Sequence, residues 1–292
     1  MIKVIVNLVK FPILITLMLV SYFANAQKLD NALLWKISGN GVEKPSYLYG
    51  TMHAVCETNI DTDVMKAFDE TNQLYLEIDM DDPNLQTTMM GSMMMKDGVT
   101  ISSLITEEES KIVDSFLKEN IGFSLKMIDT FKPFMLSSMY LPKLLDCPMK
   151  AVDMELMKIA TAQNKEVLGL ETIEDQLSLF DKIPYKTQIE EIVKTAKNNM
   201  TDDRNEMTKM LAVYKSENIE EMLALTQDSK NKMFSDFADD LLTKRNQNWI
   251  PIIEKTAKES PTLFAVGAAH LAGKDGVIKL LRRKGYKVEA IK

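Results

Sequence analysis

Hydrophobic positions follow two different periods along the chain. Short apolar or aromatic runs occur near both ends of the chain and again near residue 168, and glycines or prolines lie near several of them, which is typical of strands. Between about residues 84 and 244, apolar residues recur mainly three and four positions apart, which predicts amphipathic helices. We therefore predict strands over residues 33–37, 46–49, 73–78, 166–170, 262–266 and 287–290.

Helices are also predicted between these strands, over residues 61–70, 153–163 and 276–283. Alternation of strands and helices around a long helical stretch predicts an α/β (α+β) fold, with a mixed β-sheet core and a large helical insertion that forms a cap. We expect one domain over residues 27–292. Its core would comprise about 27–83, 150–175 and 245–292, and its cap about 84–149 and 176–244.

Residues 1–26 have the features of a secretory signal peptide. Lys3 and Lys10 give a basic start, residues 11–23 are uncharged and mostly apolar, and Ala24-Asn25-Ala26 is a small-residue cleavage site. We expect a mature protein that begins at Gln27, is periplasmic or secreted, and keeps no stable membrane insertion. The alternative is an uncleaved N-terminal anchor.

Composition excludes several classes of protein. Of the 292 residues 46% are hydrophobic and 26% are charged, which excludes a disordered chain and a multispan membrane protein. The net charge of −7, without a basic run, argues against nucleic acid as a partner. The two cysteines, Cys56 and Cys147, are either bonded to each other in an oxidising compartment or separate buried thiols.

The chain has only two histidines, and both occur in the same context. His53 follows an apolar strand and the motif Gly50-Thr51-Met52-His53, and His270 follows an apolar strand and Gly267-Ala268-Ala269-His270. Ligands of open α/β sheets bind at the carboxyl ends of the strands. We therefore expect the two histidines to share one site.

Two carboxylates and one cation are candidates for the same site. Glu77 ends one predicted strand and Glu171 follows another, so either could act as a metal ligand or as a general base. With two imidazoles, such a carboxylate suits zinc, manganese, iron or cobalt. Arg245, with Asn246 beside it, lies on an apolar helical stripe and could bind a substrate carboxylate or stabilise an oxyanion.

Each of these residues also has a structural interpretation. Glu77 could be a solvated strand end, and Glu171 a carboxylate favoured by a helix N-terminus. Arg245 could form an ion pair with a buried acid.

Two further patterns carry weaker predictions. Met89 and Met93, like Met90 and Met94, are four residues apart, which favours a flexible apolar helix face over a thioether copper site. Pro251 is expected to kink or end the helix that carries Arg245.

The order of these motifs along the chain resembles the TraB/PrgY/GumN family, whose animal relatives are the Tiki metalloproteases. The resemblance covers about residues 33–288. The matching segments are Leu48 to His53, Leu76-Glu77, Gly169 to Thr172 with Gln176, Arg245-Asn246 with Trp249, and Val266 to Gly273.

The resemblance implies an α/β fold with inserted helices, of the erythromycin esterase and ChaN-like type. In the Tiki branch, the paired Gly-x-x-His motifs and a glutamate carry metal-dependent proteolysis with manganese or cobalt. By resemblance, His53, His270 and Glu77 would hold the metal, and Arg245 and Asn246 match the polar pair near the site.

The function expected from this resemblance is that of an exported, metal-dependent hydrolase, most simply a peptidase, acting on a peptide or small-molecule substrate. Two alternatives belong to other classes. One is a metal-independent, esterase-like hydrolase in which a histidine is the general base. The other is a protein that binds haem or a peptide without chemistry. The oligomeric state is left open.

Overall fold

A six-stranded mixed sheet runs through the part of the chain that the computed structural model describes, residues 28–292. The predicted signal peptide lies outside these described residues. Asn31–Lys292 hold the whole sheet and form one compact unit. The strands are β1 (Leu34–Gly39), β2 (Val42–Thr51), β3 (Gln73–Ile78), β4 (Glu166–Glu171), β5 (Thr262–Gly267) and β6 (Lys287–Ala290).

The strand order is β4-β3-β5-β2-β1-β6. β4, β3, β5 and β2 are mutually parallel, and β1 lies antiparallel between β2 and β6. The predicted mixed α/β sheet is thus confirmed. Residues 262–266 of the central strand β5 are all buried, which explains why this strand is a continuous apolar run rather than an alternating one.

Helices fill the chain between the strands. They are α1 (Thr62–Asp69), α2 (Leu85–Gly91), α3 (Ile101–Leu104), α4 (Glu107–Ile121), α5 (Leu125–Ile128), α6 (Pro133–Tyr140), α7 (Val152–Ala162), α8 (Ile173–Asp181), α9 (Tyr185–Lys197), α10 (Thr201–Lys215), α11 (Ile219–Gln227), α12 (Lys232–Ser235), α13 (Lys244–Glu259) and α14 (Val277–Arg283). Short 3₁₀ turns cover Leu141–Leu144 and Ala268–His270, and a π-helical turn, Asp239–Thr243, precedes α13.

The helices between β3 and β4 and between β4 and β5 have a hydrophobic core of their own. Phe116 and Leu117 of α4, Leu136 of α6, and Ile189 and Ile192 of α9 are buried together in it. These residues lie on the apolar faces of their helices, as the spacing of three and four residues requires. The domain boundaries given from the sequence stay a prediction.

Two local predictions need correction. The helix with Met89 and Met90 ends at Gly91, so Met93 and Met94 do not continue its face. Of the two outcomes expected at Pro251, an end of the helix does not occur, because α13 runs on to Glu259, and a kink stays a prediction. Pro251 is exposed and so is Gln247, whose carbonyl loses its helical partner, so water can replace the missing N–H donor.

Cys56 and Cys147 form a disulfide, with their Cα atoms 5.6 Å apart. Of the two states left open by the sequence, the structure therefore has the bonded one. The bridge joins the segment after β2 to the segment before α7. Beside it, Val55 and Lys150 exchange two backbone hydrogen bonds, of 2.9 and 2.8 Å. No helix within residues 28–292 has the length and apolar character needed to cross a membrane.

Candidate active site

The carboxyl ends of four parallel strands bring the candidate residues to one edge of the sheet. In the β2–β5 pair Thr51 lies opposite Gly267, so His53 and His270 follow neighbouring strand ends. In the β3–β4 pair Ile78 lies opposite Glu171, which puts Glu77 and Glu171 at the same edge. Topology alone therefore gathers residues that are up to 217 positions apart in the sequence.

Glu77 is a buried carboxylate at the centre of this edge, with only 6% of its surface exposed. Its Oε1 accepts a hydrogen bond of 2.8 Å from the backbone N–H of Gly267. A Cβ at position 267 would lie 3.2 Å from that same oxygen, so glycine permits the close approach. Burial alone would raise the pKa of Glu77. The charge of Arg245 has the largest opposing effect, followed by the two histidines and the hydrogen bond from the Gly267 N–H. Together they outweigh burial and hold the pKa of Glu77 well below its usual range.

Arg245, in the first turn of α13, reaches over the edge and pairs with both glutamates. Its Nη2 donates to Glu77 and to Glu171, and its Nε donates to Glu171 over 2.9 Å. Its Nη1 donates to the carbonyl of Leu241 over 3.1 Å. Burial disfavours the guanidinium charge, but the two carboxylates outweigh burial and raise the pKa of Arg245. Arg245 therefore forms the ion pair with buried acids that its structural interpretation predicts.

Gln176 and Trp249 complete the surroundings of the two glutamates. The Gln176 amide donates to Glu77 and to Glu171, each over 3.2 Å. The Trp249 indole N–H donates to Glu171 over 3.2 Å, and the indole ring packs against the ring of His270 at 4.5 Å between centroids. Glu171 is thus held by three side chains, those of Arg245, Gln176 and Trp249.

His270 is buried and held between Asn246 and Arg245. Its Nδ1 lies 2.6 Å from the side-chain oxygen of Asn246, and its Nε2 lies 3.1 Å from Arg245 Nη1. The guanidinium can only donate, so Nε2 is the acceptor and Nδ1 carries the proton. Burial lowers the pKa of His270 to about 3, with the charge of Arg245 adding to this and that of Glu77 opposing it. This histidine is therefore neutral at ordinary pH.

His53 has a different environment, because 61% of its side chain is exposed. Its Nδ1 lies 2.7 Å from the carboxylate of Asp153, and the second oxygen of Asp153 accepts a bond of 2.6 Å from the Thr51 hydroxyl. Loss of solvent around the ring disfavours its charge, but the charge and hydrogen bond of Asp153 outweigh that effect. They raise the pKa of His53 to about 9.

The donor chemistry at this edge suits a divalent metal. Each histidine has its Nδ1 held by a side-chain oxygen, so Nε2 is the nitrogen that could bind an ion, the usual arrangement of metal-binding histidines. At His270 an ion would have to replace the hydrogen bond that Arg245 donates to Nε2. His270 Nε2 lies 3.8 Å from Glu77 Oε1, within the span of two ligands about 2.0–2.2 Å from one ion. Among the described residues, however, no three potential ligands already converge on one point.

Sequence reasoning missed one residue of the site, Asp153. It was assigned only to a helix, where an acid near the N-terminus is expected on general grounds. Its contact with His53 depends on the pairing of residues 52–55 with residues 150–152, which no local periodicity encodes. Gln176 was part of the resemblance but had no assigned role.

Comparison with known proteins finds a family model that matches most of the chain. The model of the TraB/PrgY/gumN family matches residues 33–290. A protein named metalloprotease TIKI1, from Danio rerio, is 21% identical over 317 residues, which takes in 89% of this chain and 63% of that protein. The chain thus spans less than two thirds of the length of this curated relative. No solved structure matches the chain.

Proposed function

Because the chain belongs to the TraB/PrgY/gumN family, we propose that it is a hydrolase whose reaction takes place at the carboxyl edge of the sheet. The observation that carries the proposal is the contact of three groups there: the ionised Glu77, the neutral His270 and the guanidinium of Arg245. Hydrolysis needs a proton acceptor for water and positive charge for the developing oxyanion. This cluster contains both.

Two different residues could carry out these two tasks, His270 as the proton acceptor and Arg245 as the positive charge. The Nε2 of His270 has a lone pair at neutral pH, so it can accept a proton from water once Arg245 turns away from it. Arg245 presents N–H donors that can stabilise an oxyanion. Asn246 holds the tautomer of His270, and its amide group also donates to the carbonyls of His270 and Asp275 over 3.2 and 3.0 Å.

We propose that His53, His270 and Glu77 hold a divalent metal, with manganese or cobalt favoured by resemblance and zinc or iron as alternatives. The support is the pair of histidines with oxygen-bound Nδ1 atoms beside a buried carboxylate. A bound divalent ion would supply positive charge that polarises the scissile carbonyl and makes water more acidic. The substrate would be a peptide, as the name of the TIKI1 relative suggests, or a small molecule.

A metal-independent hydrolase is the second candidate, and one observation favours it. Arg245 already places a buried positive charge against both His270 and Glu77. That cation could stabilise the oxyanion without a metal. In this version His270 is the general base, and Glu77 fixes the guanidinium.

We also propose that the protein is exported, through the N-terminal segment, to the periplasm or the exterior. Its disulfide supports this proposal, because such bonds persist in oxidising compartments. We expect no nucleic-acid partner.

The test is turnover of a peptide library and of simple esters by protein purified without a histidine tag. A metal-dependent hydrolase should lose activity on chelation and recover it with Mn²⁺ or Co²⁺. Activity that survives chelation would select the metal-independent alternative. Full activity in both His53→Ala and His270→Ala would show that turnover does not take place at this site and would contradict the proposal. No turnover of any substrate by the wild type would favour a binding protein.

Glu77→Gln separates the two possible roles of this glutamate, because it keeps the size of the side chain and removes its charge. If Glu77 is a metal ligand, the variant should bind Mn²⁺ more weakly. If it is a base, binding should hold and turnover should fall by about 10²–10⁴-fold. Glu107→Gln, at an exposed position in the first turn of α4, is the matched control and should change neither quantity.

A further inference from the structure

Asp153 connects the end of strand β2 to helix α7. It is the second residue of α7 and is 97% buried, since only 3% of its surface is exposed. One of its carboxylate oxygens accepts the Thr51 hydroxyl over 2.6 Å, and the other lies 2.7 Å from His53 Nδ1. Both partners of this buried carboxylate therefore belong to the same Gly-x-x-His motif.

The backbone around this contact is tied together on both sides. The N–H of Val152 donates to the carbonyl of Met52 over 3.2 Å, and Val55 is paired with Lys150. The Cys56–Cys147 disulfide links the same two segments, the one after β2 and the one before α7, covalently. The position of Asp153 relative to His53 is therefore set by the main chain rather than by the side-chain contact alone.

We propose that Asp153 is a positioning residue for His53: it binds Nδ1, fixes the rotation of the ring, and leaves Nε2 as the nitrogen available to the site. This rests on the proposed function, because it concerns the same site. The two histidines differ here. His270 is held by the neutral amide of Asn246, whereas His53 is held by a carboxylate, which orients the ring and makes Nε2 the stronger metal ligand once a metal displaces its proton.

The ring signals of the histidines test this directly, without metal or turnover. Because the chain has only two histidines, ¹⁵N-histidine labelling gives two sets of ring signals, and His270→Gln assigns them. In chelator-treated protein, Asp153→Asn should shift the ring nitrogen signals of His53 and leave those of His270 in place. Unchanged His53 signals would overturn the proposal.

Glu155→Gln is the matched control, because it removes another acid from the first turn of α7 without contact to a histidine. It should leave both sets of ring signals unchanged. If the His53 signals moved equally in this control, the effect would come from the helix and the positioning role would be wrong. Thr51→Val provides a second variant should Asp153→Asn fail to fold. It removes one of the two donors to Asp153 and should shift the His53 signals in the same direction by less.

Calorimetric titration with Mn²⁺ gives the second measurement. Asp153→Asn should weaken Mn²⁺ binding by about 10–100-fold, the usual effect of losing a group that orients a metal-binding histidine. In a His53→Ala background the same substitution should have no further effect. Equal losses in both backgrounds would show that Asp153 does not act through His53. A wild-type protein that binds no Mn²⁺ would contradict the proposed metal dependence, while the ring signals would still decide the role of Asp153.

Discussion

Arg245 is the cation that contacts both buried glutamates of the candidate site. Two glutamates and a neutral histidine surround it, and no more than 9% of any of these side chains is exposed. A buried carboxylate is tolerated only with a partner, so Glu77 and Glu171 depend on the same guanidinium. Its planar shape allows three nitrogens to serve four different acceptors at once.

Arg245→Lys should therefore be strongly destabilising although it keeps the charge. An ammonium group cannot reproduce the planar set of donors, so at least one carboxylate loses a charge-assisted hydrogen bond. We expect the free energy of unfolding to fall by about 2–3 kcal/mol, the cost of one such bond. Urea denaturation of the chelated protein measures it.

Arg204→Lys is the control for this substitution, because Arg204 is 44% exposed and its ion pair with Asp146 spans 3.8 Å. It should change stability by no more than about 0.5 kcal/mol. If both substitutions lowered the free energy of unfolding equally, the hydrogen bonds of Arg245 to the two buried glutamates would not contribute to stability as proposed.

Most of the site residues could be found from the sequence, since each lies at or just after a strand end or on an apolar stripe. His53 and His270 are marked by glycine, and Arg245 by its position among apolar neighbours. The sequence alone does not predict which side chains form hydrogen bonds with these residues. The pairing of Arg245 with two glutamates, and of His53 with Asp153, depends on contacts across about 74 to 168 positions.

At the scale of elements, periodicity was sufficient for the strands, and for helices with clear apolar faces. The capping box at Thr106 and Glu109 starts α4, and such a box is a purely local pattern that the sequence carries by itself. The local rule at Pro251 allowed an end of the helix, and tertiary contacts explain why the helix continues. Trp249, Ile250 and Ile253 are buried on the inner face of α13, and their burial keeps the helix intact past the proline.

Pro251→Ala should accordingly stabilise the protein. It restores a helical N–H donor for the carbonyl of Gln247, a gain of up to about 3 kcal/mol in a helix interior. Proline also restricts the unfolded chain, which offsets up to about 1 kcal/mol, so we expect a net gain of about 2 kcal/mol. The urea midpoint should rise, whereas Lys255→Ala, exposed on the same helix, should leave it nearly unchanged. A lower midpoint for Pro251→Ala would mean that α13 requires the proline.

The disulfide is the second element-level prediction. It closes a separation of 91 residues, and restriction of the unfolded chain should make it worth about 2–5 kcal/mol. The Cys56→Ser, Cys147→Ser double variant should lose this amount on urea denaturation, and reduced wild-type protein should match the variant. Two reactive thiols in the unfolded, unreduced protein would contradict the bond.

At the scale of the whole molecule, the two histidines couple folding to pH in opposite directions. The carboxylate of Asp153 favours a charged His53, whereas burial beside Arg245 favours a neutral His270. Both rings have an ordinary pKa of 6.5 in the unfolded chain. In the folded protein His53 therefore binds its proton more tightly, and His270 less tightly, than each does in the unfolded chain.

The sign of each effect follows from linkage. The folded pKa of His53 is raised to about 9, so its contribution to stability is complete below pH 6.5 and is lost as pH rises from 6.5 through 9. The folded pKa of His270 is lowered to about 3, so the unfolded state binds the extra proton between pH 6.5 and 3, and stability is lost as pH falls through that window. Glu77, whose pKa is also lowered, acts in the same direction at the acid end.

The chelated protein should therefore be most stable near pH 6–7, with stability falling on both sides. Urea denaturation between pH 4 and pH 9.5 measures this profile. The buried His270 should contribute a slope of up to about 1.4 kcal/mol per pH unit on the acid side, the value for one proton. His53→Ala should flatten the alkaline side and leave the acid side in place, because it removes only the group whose pKa is raised. A variant profile parallel to that of the wild type above pH 6.5 would show that Asp153 does not hold a proton on His53.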